Sequence, residues 1–433
     1  MLKKILSVLA ISLATVFLVE IGAYGFFYIK YGQPLPREKI QASLVPSEES
    51  KEFQLETKAG PFEANIREHI LHPYLGFIRD FRKERHIFDD RIVQVPVNPF
   101  GFFGPSPLKK KSNGEIRIAI TGGSVALQLF LYSRDSLIKT LEEIDIFRKQ
   151  KIEIISLALG GMKQPQQLLA INWFLALGAD IDMVVNIDGF NEVALPQIDN
   201  IPEGVYPFYP RQWNLYAAKS MSEKIIGFLS KAAELKKKRE GWRNLFSKNP
   251  FKSSNFSLVI WYSLKNKILN ELIRLDNKIQ EEMKAKNKST QEIGPDFSVD
   301  SSEQVAQEFA GFWKNSSRQM NDVLKANGIE YFHFLQPNQY FKGSKPLSKW
   351  EKKNAYFPDA EHANPVQTGY SVLIKAGHEL NEVGVQFVDL TGIFKKETDT
   401  LYKDSCCHYN QIGNDILAKE IGANIKKYYS SRN

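Results

Sequence analysis

The chain of 433 residues is poor in cysteine, with Cys406 and Cys407 alone, and these two are neighbours. A bridge between adjacent residues closes a strained ring, because Cα atoms one peptide apart sit closer than a disulfide prefers. No disulfide framework is expected, and no Cys-x-x-Cys metal spacing exists. Zinc-finger spacings, RNA-binding aromatic motifs and the lysine of a phosphate-binding loop are missing too, so nothing points to nucleic acid, nucleotide or metal. Charge is not balanced: the formal net charge is +8. Much of the excess lies in "KAAELKKKREGWR" (231–243). Such a run suits anionic lipid, polysaccharide or nucleic acid, but a solvated helix face is the simpler expectation.

What is present starts at the N-terminus, "MLKKILSVLAISLATVFLVEIGAYGFFYIKYG". Lys3 and Lys4 precede an apolar stretch, broken by Glu20, that continues to Tyr28. A span of roughly 20 apolar residues crosses a bilayer. No small-x-small cleavage site closes the segment, so residues 1–30 are expected to be an uncleaved signal anchor, in the membrane through residues 5–28. Lysines before the span stay cytoplasmic, which predicts a single-pass protein with its main domain extracytoplasmic. Residues 31–95 read as a tether and lead-in, and 96–430 as the main domain.

From residue 116 short apolar strands alternate with helical stretches. The strands are expected at Ile116–Ile120, Ile152–Leu157, Met183–Ile187, Ile329–Leu335 and Val385–Leu390. Helices are expected at about 133–149, 164–177, 365–383 and 410–428. This alternation predicts an α/β fold, a five-stranded parallel sheet between two helical layers. The stretch between the third and fourth strands is too long for one crossover and has helical patterns of its own. A helical cap insertion over 190–328 is therefore expected.

Open parallel sheets bind ligands at the carboxyl ends of their strands. Polar or glycine-rich segments do follow the strands: "TGGSVA", "ALGGMKQPQQ", "DGFNEV" and, later, "KDSCCHYNQIGN". Ser124 sits at a strand-to-helix turn after Gly122 and Gly123. A serine there is exposed, and the helix start favours developing negative charge. The alternative is a plain helix N-cap. His408 lies where a loop meets the C-terminal helix, with Asp404 four residues earlier. A histidine base needs such an acceptor to fix its tautomer. The other six histidines lack this setting. Gly161 and Asn191 follow two further strands. The N–H groups of Ser124 and Gly161 with the Asn191 amide form a candidate oxyanion hole.

The order Ser, Gly, Asn, His on such a sheet resembles the SGNH/GDSL hydrolase superfamily. The first block is Gly122-Gly123-Ser124 where the family usually has G-D-S. The second matches Gly161, with Gly160 as a rival. The third, G-x-N-D, matches Gly189-Phe190-Asn191-Glu192, with Glu in place of Asp. The last, D-x-x-H, matches in part, because Ser405 occupies the usual acid position and Asp404 stands one residue further back. "NPFGFFGPSP" and "FLQPNQYFKGSKPLS" resemble segments of membrane-anchored members, and the latter makes Gln336 and Asn338 candidate substrate contacts. The resemblance implies a flavodoxin-like fold and acyl transfer with Ser124 as nucleophile, His408 as base and Asp404 as its partner, without metal or organic cofactor. It implies an extracytoplasmic esterase acting on an acylated carbohydrate or lipid. An O-acyltransferase on exported polysaccharide and a non-catalytic glycan-binding protein of the same fold remain alternatives.

Overall fold

In the computed structural model the described residues are 2–45, 68–83, 85–88, 91–221, 223–285, 293–298 and 301–432. Of the expected tether, residues 46–67, 84 and 89–90 lie outside them. The chain forms two compact units, Met1–Asn65 with Ala218–Asn287, and Ile66–Ala217 with Lys288–Asn433.

The first unit is helical. Helix Leu2–Tyr31 is followed by Arg37–Ala42, Glu223–Phe246 and Asn255–Ala285. Its core gathers Ala23, Phe27, Leu35, Ile40, Leu44, Leu258 and Trp261. The Trp261 indole donates to Ser43 Oγ at 3.0 Å. The expected membrane anchor does not survive. No helix among the described residues is long and apolar enough to cross a membrane. Within Leu2–Tyr31, Glu20 and Lys30 interrupt the apolar stretch. Glu20 accepts hydrogen bonds from Ser254 Oγ and the Asn255 N–H, both at 2.5 Å, at the start of helix Asn255–Ala285. Phe27 and Tyr31 pack their rings on Tyr262, 5.1 and 5.2 Å away. With the anchor, the expected single-pass placement and extracytoplasmic domain lose their basis. The basic run lies on helix Glu223–Phe246, where Lys231, Lys236, Lys237 and Lys238 are exposed.

The second unit begins with two antiparallel hairpins, β1 (His69–His72) with β2 (Gly76–Arg79) and β3 (His86–Phe88) with β4 (Arg91–Val93). The five-stranded sheet follows: β5 (Glu115–Gly122), β6 (Lys151–Ala158), β7 (Met183–Asp188), β8 (Glu330–Leu335) and β9 (Gln386–Asp389). All its pairings are parallel, in the order β6-β5-β7-β8-β9. Ile118, Ala119, Ile120, Val184, Val185 and Phe334 are wholly buried. That is why these strands read as continuous apolar runs rather than alternating ones.

Strand crossovers are right-handed. The β5–β6 connection runs one way along the sheet and all later ones run the other way. Helix Arg134–Leu141 is therefore set on one face, where Gly422 of helix Gln411–Ser430 abuts Thr140. Helices Gln166–Ala176, Ser302–Ala326 and Ala363–Glu382 take the opposite face. The direction reverses between β5 and β7. This reversal leaves a crevice at their carboxyl ends, the usual binding place of such sheets.

Candidate active site

Four strand-end segments meet at that crevice. β5 ends at Gly122, and the helical run starts at Ser124 itself, nine residues before the start expected from the sequence. It continues as Ser124–Gln128, a π-helical turn at Leu129–Ser133 and Arg134–Leu141. The Ser124 side chain is half-buried and opens the first turn.

His408 approaches from the far end of the chain. Its Nε2 lies 2.7 Å from Ser124 Oγ, and its Nδ1 lies 2.5 Å from Asp404 Oδ2. The extra residue between acid and base is absorbed by a tight turn. Asp404 Oδ1 accepts from the N–H groups of Cys406, Cys407 and His408 at 3.0, 3.2 and 3.3 Å. Three side chains hold the same loop by its carbonyls. Gln339 donates to the Asp404 carbonyl at 3.0 Å, His362 Nε2 to that of Ser405 at 2.5 Å, and Asn338 to that of Cys406 at 3.0 Å.

The His408 and Asp404 side chains keep 20% and 38% of their surface exposed. Burial opposes charge on each, yet their mutual attraction and hydrogen bond win. His408 is pushed up to about 9. Asp404 is held down at about 2, with the N–H groups of the turn adding to the effect of His408.

Of the oxyanion candidates, Asn191 is brought beside the segment that bears Ser124. Asn191 Nδ2 donates to the Met162 carbonyl at 2.7 Å, which fixes the amide between the ends of β6 and β7. The same nitrogen fills the space beside Gly123: a Cβ there would stand 2.2 Å from it. Only glycine at 123 lets Asn191 reach the segment bearing Ser124. Gly161 has φ +77°, a conformation most residues avoid, and a Cβ on it would stand 2.9 Å from Arg211 Cδ. Gly160 has no such neighbour, its nearest being a Phe88 ring carbon at 3.8 Å. Glu192, where the family pattern has Asp, accepts from the Gly189 N–H at 2.8 Å and caps the helix that carries Asn191.

The two candidate substrate contacts are placed differently from the rest. Asn338 is wholly buried: it holds the Cys406 carbonyl, and its Oδ1 accepts from the Tyr340 N–H at 2.9 Å. Gln336 is also buried, with its Cγ 3.4 Å from the point where a Cβ on Gly189 would lie. A cavity of about 430 Å³, lined by Gln33, Lys39, Tyr262 and Lys265 among others, belongs to the first unit and contains none of these residues.

Three features were not read from the sequence. Lys163 is fully buried and donates to the carbonyls of Pro207 and Tyr209 at 2.8 and 2.5 Å, which ties down the loop carrying Arg211. Arg211 in turn pairs with Asp199 at 2.6 Å. A lysine inside "GGMKQPQQ", just past a strand end, was the available signal. The third feature is a second Ser-His-Asp set. His333 Nε2 lies 2.9 Å from Asp188 Oδ1, and its Nδ1 lies 2.7 Å from Ser317 Oγ. His333 and Ser317 are completely buried.

Comparison with known proteins adds little. No family model matches the chain, and no curated protein does. Among solved structures it is similar to a GDSL-like lipase from Bacteroides thetaiotaomicron, with 13% identity and a TM-score of 0.34, over 75% of this chain and 93% of that one.

Proposed function

We propose that the chain is a serine hydrolase of the SGNH/GDSL kind that cleaves an acyl ester. Ser124 is the nucleophile, His408 the general base and Asp404 its orienting partner. His408 Nε2 takes the Ser124 hydroxyl proton as Oγ bonds to the acyl carbon. The oxygen that becomes negative faces the N–H groups of Ser124 and Gly161 and the amide of Asn191. His408 then passes the proton to the departing alcohol, leaving an acyl-enzyme. Water attacks that ester by the same route and frees Ser124. Asp404 keeps the imidazole oriented and stabilises its cation. An acylated carbohydrate or lipid is the substrate class to try first.

One observation carries this reading: the unbroken hydrogen-bond chain from Asp404 through His408 to Ser124, joining residues 284 positions apart at the reversal point of the sheet. A fluorophosphonate probe tests it directly. Wild-type protein should be labelled once per chain, and Ser124→Ala should not be labelled. Release of acid from p-nitrophenyl acetate, longer acyl esters and acetylated sugars would then rank substrates. Folded wild-type protein that neither labels nor hydrolyses any of these esters would sink the proposal.

A further inference from the structure

Cys406 and Cys407 fill the loop between the two partners of the candidate relay. Their sulfurs stand 2.6 Å apart. Both are free thiols, Cys406 partly exposed and Cys407 buried. The N–H groups of both residues donate to Asp404, whose other oxygen holds His408. Chemistry at these sulfurs therefore acts on a backbone segment that sets the acid and the base.

We propose that Cys406 and Cys407 form a thiol-modification site that a small disulfide converts into a reversible ring, and that closing the ring takes His408 away from Ser124. The second half rests on the serine-hydrolase reading; the first does not. The steps balance. Cys406, the accessible sulfur, attacks as thiolate, bonds to one sulfur of the external disulfide and expels the other as a thiolate. Cys407 then gives its proton to solvent, bonds to Cys406 Sγ and expels the second thiolate. Two cysteine thiols are oxidised, and one external disulfide is reduced to two thiols. Burial pushes the Cys407 thiol up, which makes it the second sulfur to react rather than the first.

Ring closure must distort the joining peptide, because adjacent Cα atoms are about 3.8 Å apart in the trans form and ordinary disulfides want at least about 4.4 Å. Distortion there turns the Cys407 N–H, which belongs to that peptide, away from Asp404 and pulls the Cys406 carbonyl from Asn338. The same strain makes the ring easy to reduce, so the change is reversible.

The test uses full-length protein and oxidised glutathione. Denaturing thiol titration and peptide mass mapping should show both thiols lost, a mass fall of about 2 Da on the 406–407 peptide and no adduct. Cys407→Ser should stop at a glutathione adduct on Cys406, and Cys406→Ser should react little. Fluorophosphonate labelling of oxidised protein should fall at least tenfold and return with dithiothreitol. A wild-type chain that keeps a stable glutathione adduct, or dimerises through Cys406, overturns the site. Ring formation with unchanged labelling overturns the coupling. If reduced protein never labels, the hydrolase reading fails by itself, while the mass test still judges the thiol pair.

Discussion

The set formed by Ser124, His408 and Asp404 has a counterpart in the same unit: Ser317, His333 and Asp188. Residue types and distances are nearly the same, but the surroundings differ. In the inner set every partner is committed. Asp188 Oδ1 also accepts from the Trp313 indole at 2.9 Å and Oδ2 from Asn186 Nδ2 at 2.9 Å, while Ser317 Oγ meets Tyr331 OH at 3.1 Å. Such a network satisfies buried polar groups and makes the core unique. In the outer set Ser124 heads a helix in a strand-end crevice, and His408 and Asp404 keep contact with solvent. A histidine between a serine and an aspartate is thus no sign of chemistry by itself. Access to solvent is what separates the two sets.

Substitutions in the two sets should separate them. The largest effect is expected from Ser124→Ala, with esterase activity down by about 10⁵–10⁶ and folding stability nearly unchanged. Ser317→Ala should leave labelling of Ser124 intact but cost about 1–3 kcal/mol in urea unfolding, since it strands a buried imidazole nitrogen. Equal activity losses for both would erase the distinction.

Next in size is Asp404→Asn, expected to lower kcat by about 10³–10⁴. This variant also tests the pH profile. His408 must lose its proton to act as base, and its partner raises it to about 9. Activity should therefore climb from pH 7 towards about 9, and Asp404→Asn should move that limb down. Stability runs the other way. A raised histidine stabilises fully below its unfolded value near 6.5 and loses that contribution as pH rises through about 9. Asp404, held at about 2, contributes above roughly pH 4 and loses it as pH falls through about 2. Thermal melts of wild-type and Asp404→Asn protein from about pH 2 to about pH 10 would show whether their difference fades at the two ends.

A smaller effect is expected at the oxyanion donors. Asn191→Ala should cost about 10²–10³ in kcat. Gly123→Ala should do the same from the other side, because its methyl group displaces the Asn191 amide. The double variant should be no worse than either single one. Additive losses would show that Gly123 matters for some other reason.

Much of the scaffold was legible because buried parallel strands leave unbroken apolar runs, and glycine or polar residues mark their ends. Ser124, Gly161, Asn191 and His408 stand out on that pattern. Local composition misled at the N-terminus, where an apolar run suggested a bilayer span but the helix packs Phe27 and Tyr31 on Tyr262 and spends Glu20 on a neighbouring helix end. The inner set escaped notice because Asp188, Ser317 and His333 lie on separate elements and meet only through sheet pairing and helix packing. Contact between Gly123 and Asn191 was hidden for the same reason.

The turn at Asp404 raises a question of spacing. Three consecutive carbonyls, those of Asp404, Ser405 and Cys406, are each gripped by a side chain from elsewhere. The path of this loop is thus dictated from outside, like a cable clipped at three points. Asp404 Oδ1 gathers the turn from within while the clips hold it from without, so an added residue bulges between clips instead of displacing the ends. Acid and base four residues apart reach the same partners that a shorter spacing would, and the distance along the chain between them is a poor guide to whether they meet.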